Sequence, residues 1–247
     1  MAQGYAFLHI PIGPPRKNNL FLIAWFIIEW QNSNFGMGTN NAPSIGRTPK
    51  RQGHTMTQSS TKSAVVYHSG YGHTKRLAEV VADGASALLI AIDAEGNISQ
   101  DAWEALDNAD AIIFGSPTYM GGPTWQFKKF ADTSSKPWFG EKWKNKVFGG
   151  FTNSASINGD KLNTLQYFVL LTGQHGGVWV SLAMKPANVK SSKRDDLNRM
   201  GSYIAPMAQS DADAAPGEMS EGDLETARLY GVRIAEIARR FAMARTD

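Results

Sequence analysis

Ser69-Gly70-Tyr71-Gly72-His73-Thr74 separates two different kinds of pattern. Ahead of it, Ser63-Ala64-Val65-Val66-Tyr67-His68 is apolar and β-branched enough for a buried parallel strand. Behind it, Leu77, Val80, Val81 and Ala85 recur at helical spacing, so these six residues sit where a strand turns into a helix. Glycines there let backbone come close to a ligand. The free N–H groups of a first helical turn, with the hydroxyls of Ser69 and Thr74, suit a phosphate.

The type of phosphate narrows with the neighbouring residues. A Walker A loop needs a second glycine where Lys75 stands, five residues after Gly70. A dinucleotide fingerprint has its first two glycines in Gly70 and Gly72 and an acid in Asp93, but Lys75 occupies the place of the third glycine. A hydroxyl-rich loop closing directly onto a helix fits a terminal phosphomonoester better than an internal pyrophosphate. An ordinary β–α turn remains the alternative for this loop taken alone.

Strand and helix patterns alternate along the rest of the chain, which predicts a doubly wound parallel sheet. Ala87–Ile92 reads as strand two, and Ser99 caps a helix through Leu106. Ala111–Phe114 reads as strand three, followed by the loop Gly115–Gly122 and a helix over Gln126–Asp132. Lys146–Phe151 is strand four, followed by the Thr/Ser/Gly loop 152–159 and a helix marked by Leu162, Leu165, Phe168 and Val169. Val178–Val180 opens strand five, and 185–217 reads as a long loop with a functional or interfacial role. Ser220 and Asp223 resemble a capping box before a last helix striped by Leu224, Ala227, Gly231, Ile234, Ala238 and Phe241.

Five strands in this order are compatible with the flavodoxin-like arrangement 2-1-3-4-5, for which flavodoxin is the standard illustration. Right-handed crossovers then gather the loops after strands one, three and four at one carboxyl edge. All three are rich in Gly and hydroxyl residues. The first suits phosphate and the others offer N–H groups to a flat polar heterocycle, so the expected cofactor is FMN.

Composition bounds the rest. The 247 residues are 42% hydrophobic, enough for one α/β domain with a sizeable core, and contain no cysteine. Disulfides, thiolate metal sites and a cysteine nucleophile are thereby excluded. Residues 1–55 hold Arg16, Lys17, Arg47, Lys50 and Arg51 against Glu29, an excess of +4, so the net +3 of the chain leaves −1 for residues 56–247. That balance gives no reason to expect nucleic acid. The apolar run Leu20–Ile28 is 9 residues long, short of the about 20 a membrane span needs. Glu29-Trp30 follows it where a signal peptide would place small residues. Residues 1–55 are therefore expected to be a disordered extension or a misassigned start, with 56–247 forming the domain in a cytoplasmic protein.

Three stretches together resemble the WrbA-type flavodoxin-like NAD(P)H:quinone oxidoreductases and the wider NADPH-dependent FMN reductases. They are Tyr67–Thr74, Ile112–Thr118 and the loop 152–159, joined by Gln174-His175-Gly176. The resemblance covers roughly Lys62 to Ala244 and implies two-electron transfer from NADH or NADPH to quinones through FMN, by a ping-pong cycle. It places the FMN phosphate on Ser69, Tyr71, Gly72, His73 and Thr74. Pro117, Thr118, Tyr119, Gly121 and Gly122 would border the ring, while Thr152, Asn153, Ser154 and Gly159 would support the ribityl and phosphate side. Trp138 aligns with a tryptophan near the flavin and His175 with a histidine at the substrate face, where it can donate a proton or hydrogen bond to a quinone oxygen. A hydrophobic plug for Trp138 and a helix-end cation for His175 are the structural alternatives. Tyr119 stands where the family pattern has Arg, and Gly122 where it has Asn, which leaves the choice between NADH and NADPH open. The resemblance further implies a homo-oligomer, dimer or tetramer, and Trp125, Trp138, Phe139 and Trp143 are the aromatics expected at its interface. A flavodoxin-type one-electron carrier and an NAD(P)H-dependent FMN reductase are the competing functions.

Overall fold

The computed structural model describes residues 61–244. The proposed extension 1–55 lies outside the described residues. In chain order the first elements are β1 (Ser63–Tyr67), α1 (His73–Ala85), β2 (Leu88–Ala91), α2 (Gln100–Asn108) and β3 (Ala111–Tyr119). Then come β4 (Gly122–Pro123), α3 (Trp125–Thr133), α4 (Ser135–Phe139) and β5 (Val147–Ser154). The chain closes with α5 (Lys161–Gln174), β6 (Val178–Trp179), β7 (Met207–Gln209), a short 3₁₀ turn (Pro216–Glu218) and α6 (Glu221–Ala244).

The continuous apolar run of β1 is buried along its whole length because parallel partners flank it on both sides, β2 and β3. β3 pairs in turn with β5, and the sheet order β2-β1-β3-β5-β6 is the expected flavodoxin-like one. The sheet has seven strands rather than five. One addition is β4, which folds back antiparallel on β3 through a turn with positive φ at Met120 (49°) and Gly121 (80°). Two successive left-handed residues match the twist of a two-residue hairpin, so Gly115–Gly122 is mostly strand and not loop. β3 and β5 both run past their expected ends at Phe114 and Phe151, because Ser116 pairs with Thr152 and Pro117 with Asn153.

The second addition arises because the fifth strand is split. The chain leaves the sheet after Val180, whose N–H donates to Phe148 O (2.8 Å), and returns at Pro206, whose carbonyl accepts from Thr152 N (3.2 Å). β7 then resumes the pairing alongside β5. Asn198 organises the intervening excursion: its Nδ2 donates to Met184 O (3.0 Å) and Ser202 O (2.9 Å), and its Oδ1 accepts from Ser202 N (3.1 Å). The segment 185–217, read as loop, therefore contains a strand. The capping-box reading of Ser220 and Asp223 is also corrected. Ser220 Oγ donates to Asp195 (2.7 Å), and the Asp223 carboxylate is held by Arg194 (2.6 and 3.0 Å) and Gln209 N (3.0 Å). Both side chains thus latch the excursion to the start of α6.

Phe114, Phe127, Phe130, Phe148 and Phe168 fill one side of the sheet with rings at 4.8–6.5 Å. Trp143 joins them fully buried, its ring 6.4 Å from Phe130 and its Nε1 donating to Asp107 (2.8 Å), so it is a core residue and no interface aromatic. Trp125, Trp138 and Phe139 are exposed, at 61%, 44% and 88%.

On the other side α1 lies against α6 with almost no side chain between the backbones. A Cβ at Gly84 would stand 2.0 Å from Arg228 O, and one at Gly231 would stand 2.3 Å from Val81 O. Gly84→Ala gains roughly 1 kcal/mol of helix propensity but forces the two backbones apart. Overpacking of that kind costs about 1–3 kcal/mol, so the substitution is expected to lower the midpoint of thermal unfolding.

Candidate functional site

Helix α1 begins at Gly72, held at φ 91°, and no side chain caps it; its first turn carries no acidic residue. A free helix N-terminus of this kind leaves N–H donors and the positive end of the dipole for an anion. Ser69 Oγ accepts from Gly72 N (3.1 Å), which shapes the loop while keeping the hydroxyl proton available. His73 Nε2 lies 2.9 Å from Ala214 O; a carbonyl only accepts, so this ring nitrogen carries the proton. The His73 ring thus bolts the loop to the 210–216 segment, and its backbone N–H is left for a ligand.

In front of this turn opens a cavity of about 750 Å³, within the ~300–1,000 Å³ of small-molecule sites. From the β1 loop it is lined by Ser69, Tyr71, His73 and Thr74. The tip of the β3–β4 hairpin contributes Pro117, Thr118, Tyr119 and Gly121 together with Met120. The loop after β5 contributes Asn153, Ser154 and Gly159. Tyr71 and Tyr119 stand edge-on at 6.2 Å on its rim, and the Tyr119 hydroxyl is so close to Gly70 that a Cβ there would meet it at 2.9 Å. Hydroxyls and free N–H groups within the cavity, with two tyrosine rings at its rim, fit a phosphate ester of a planar heterocycle, which is the chemistry FMN requires.

Three expected residues sit just behind the wall. Gly72 is the cap position of α1 and Gly122 begins β4. Thr152 lies fully buried beneath Thr118, whose Oγ1 is 2.8 Å from both Thr152 Oγ1 and Thr164 Oγ1. This hydroxyl triad ties β3, β5 and α5 together under the cavity. The hairpin tip is further anchored by Asn163 Nδ2, which donates to Gly121 O.

Several residues escaped the sequence reading. Ser210, Asp211 and Ala212 also line the cavity. They are placed there by Ser210 Oγ, which donates to Asn153 Oδ1 (2.9 Å), and by Gln209 Nε2, which donates to Ala155 O (2.9 Å). A hydroxyl and an acid within a long polar stretch were the available signal, without a pattern to place them. Lys161 is buried beside the β5 loop and donates to Ser154 Oγ (2.9 Å), Ser156 O (2.6 Å) and Ile157 O (2.9 Å). Burial lowers its pKa to about 8, opposed by Asp223 and reinforced by Arg194.

Trp138 and His175 are not brought to this cavity within the subunit. Both precede the strands they feed, so they lie at the amino edge of the sheet, where they line a separate cavity of about 430 Å³ with Tyr167 and Leu171. Ser134 Oγ donates its single proton to Ala131 O (2.6 Å), so toward His175 Nε2 (2.9 Å) it can only accept. His175 is therefore a neutral imidazole protonated on Nε2, stacked 4.4 Å from Trp143, with its buried Nδ1 unpartnered among the described residues. Burial lowers its pKa to about 4, which goes against the alternative of a helix-end cation.

The comparisons with known proteins agree with this architecture. A family model described as NADPH-dependent FMN reductase matches residues 69–186. A protein of Pseudomonas aeruginosa named Flavodoxin FldP is 54% identical over 177 residues, 72% of this chain and 96% of that protein. An NAD(P)H dehydrogenase (quinone) of Archaeoglobus fulgidus is 32% identical over 198 residues, 70% of this chain and 95% of that protein. The crystal structure of a flavodoxin, WrbA-like protein from Agrobacterium tumefaciens shares 67% identity with a TM-score of 0.62, covering 73% of this chain and 99% of that one.

The neutral His175 generates a test. Its folded pKa of about 4 lies below the unfolded value of 6.5, so the unfolded chain binds the extra proton between those limits. Stability from this group is complete above pH 6.5 and falls on acidification toward pH 4, by about 3 kcal/mol in all. Denaturant titrations of His175→Asn at pH 7 and pH 4.5 are expected to show a smaller acid loss than the unsubstituted protein.

An uncapped β1–α1 turn, a sheet in the order β2-β1-β3-β5-β6 and relatives matched over nearly their whole length place this chain in the WrbA-type flavodoxin-like family of the NADPH-dependent FMN reductases.

Proposed function

We propose that this chain is an FMN-dependent oxidoreductase that transfers two electrons from NADH or NADPH to quinones in a ping-pong cycle. The observation that carries the reading is the cavity itself, which joins the uncapped start of α1 to an aromatic rim across the carboxyl ends of β1, β3 and β5. FMN bound there would accept a hydride from the nicotinamide and return two electrons to a quinone, which takes up two protons to become the quinol.

The protein's own residues bind, orient and shield. N–H groups of the first α1 turn with Ser69 and Thr74 hold the phosphate end. The hydroxyl triad and the Asn163 contact keep the β3–β4 tip rigid, so Tyr119, Met120 and Gly121 present one fixed edge. Exposed Tyr71 (78%) and Met120 (105%) offer a flat apolar approach to an aromatic substrate. Trp138 and His175 are assigned to the site of a neighbouring subunit. Their cavity at the amino edge, next in sequence to exposed Phe139, supports a homo-oligomeric reading. His175 there offers a neutral ring with an accepting Nδ1 and not a cationic acid.

A second reading, a one-electron carrier, is favoured by the name flavodoxin on the 54% identical relative. Such carriers rely on strongly acidic faces for steering, whereas residues 56–247 carry a net of −1. Mixing the FMN-loaded protein with NADH or NADPH under anaerobic conditions separates the two. The oxidoreductase bleaches with a reduced nicotinamide and regains colour with benzoquinone, while a carrier is reduced only by a protein donor.

Two further outcomes are expected. FMN binds at least tenfold more tightly than riboflavin, read by fluorescence titration, because riboflavin lacks the phosphate; equal affinities would contradict the phosphate turn. Trp138→Ala weakens both self-association and flavin retention, by about 2 kcal/mol if it is an interface anchor, as read by light scattering and flavin titration.

A further inference from the structure

Lys161 is the first residue of α5 and is 0% exposed. All three of its protons are committed, to Ser154 Oγ, Ser156 O and Ile157 O. None of these acceptors is charged, and among the described residues no carboxylate oxygen lies within 4.0 Å of Nζ. The charges that act on it, Asp223 and Arg194, are paired with each other at 2.6 Å and largely cancel.

This placement is costly twice over. A buried ammonium without a counter-ion forfeits its hydration. A cation in the first turn of a helix also faces the positive end of the dipole. Yet with a pKa near 8 the group remains charged at neutral pH. Its hydrogen bonds run only to the loop whose Ser154, Ser156 and Gly159 line the main cavity. The missing counter-charge is therefore to be sought in the cavity.

Phosphate is poorly placed to supply it. β3 lies between β1 and β5, so at a strand spacing of ~4.8 Å the two outer tips stand about 10 Å apart. A ligand whose phosphate rests on the β1 turn then reaches the β5 loop with its ribityl and ring portion, so on this reading Ser154 and Gly159 serve that portion and not the phosphate side expected from the sequence. We propose that Lys161 is a positioning residue and internal counter-charge: through the Ser154–Gly159 loop it makes the cavity bind reduced FMN, richer in charge on the ring, more tightly than oxidised FMN. This rests on the FMN reading above.

Redox titration of the FMN-loaded protein tests it. For a two-electron couple a tenfold difference in affinity is about 30 mV. The bound cofactor is expected to titrate at least that far above free FMN, and Lys161→Met to lose at least tenfold of the preference. Circular dichroism should match that of the unsubstituted protein, and Lys161→Arg should keep most of the preference. A bound potential at or below that of free FMN overturns the inference, even if Lys161→Met fails to fold. So does an unchanged potential in a folded Lys161→Met. Loss of FMN-over-riboflavin discrimination in Lys161→Met, with the potential unchanged, would assign the charge to the phosphate instead and equally overturn it. Absence of FMN binding by the unsubstituted protein would sink the reading of the cavity itself.

Discussion

The close pairing of β3 with β5 is what the cavity rests on. It continues beyond the hydrophobic layers to Pro117 and Asn153, lifting both strand tips to the height of the β1 turn. Three glycines in these two central strands make the layers above and below possible. A Cβ on Gly115 would meet the Phe151 ring at 2.4 Å, one on Gly149 the Ile234 side chain at 2.6 Å, and one on Gly150 the Phe168 ring at 2.7 Å. Two aromatic rings and an isoleucine thus occupy the room that side chains on the strands would have taken. The sheet can then be covered tightly on both faces while its carboxyl edge stays free for polar groups.

At that edge charge is handled asymmetrically. The start of α1 is left without a cap or an acid, so its donors face outward. The start of α5 is instead filled by Lys161, which satisfies three acceptors of the β5 loop and keeps that loop folded against the cavity. The Arg194–Asp223 pair secures the third wall by latching the excursion between β6 and β7 to α6. Arg194 also donates to Gln209 O (3.2 Å), so one guanidinium joins the long insertion, the end of β7 and the final helix. Removing a partner from so buried a carboxylate leaves an uncompensated charge, which is why such clasps are rigid.

The amino edge has a different character. There the neutral His175, stacked on Trp143 and bonded to Ser134, sits beside aromatic and aliphatic groups with Trp138 at the surface. Trp138 and Phe139, exposed at this edge, are the aromatics on which the proposed self-association rests.

Local pattern alone determined the parallel α/β sheet, its order and the β1–α1 turn, because strand runs, helical stripes and a glycine-hydroxyl turn are signals of short range. The loops that hold Pro117, Thr118, Tyr119, Asn153, Ser154 and Gly159 were legible at one edge from topology, and the individual residues from the family resemblance. Tertiary structure decided what depends on residues far apart in sequence. It split the fifth strand, because pairing of Met207–Gln209 with Thr152–Ser154 spans more than 50 residues, and it thereby put Ser210 and Asp211 at the cavity. It buried Trp143, which composition could not tell from Trp138, since only the neighbouring rings and Asp107 separate them. It sent Trp138 and His175 to the opposite edge from the residues with which they had been grouped. Lys161 left one faint mark in the sequence, a cation where a helix dipole disfavours it, and only the folded loop around its ammonium shows why it is there.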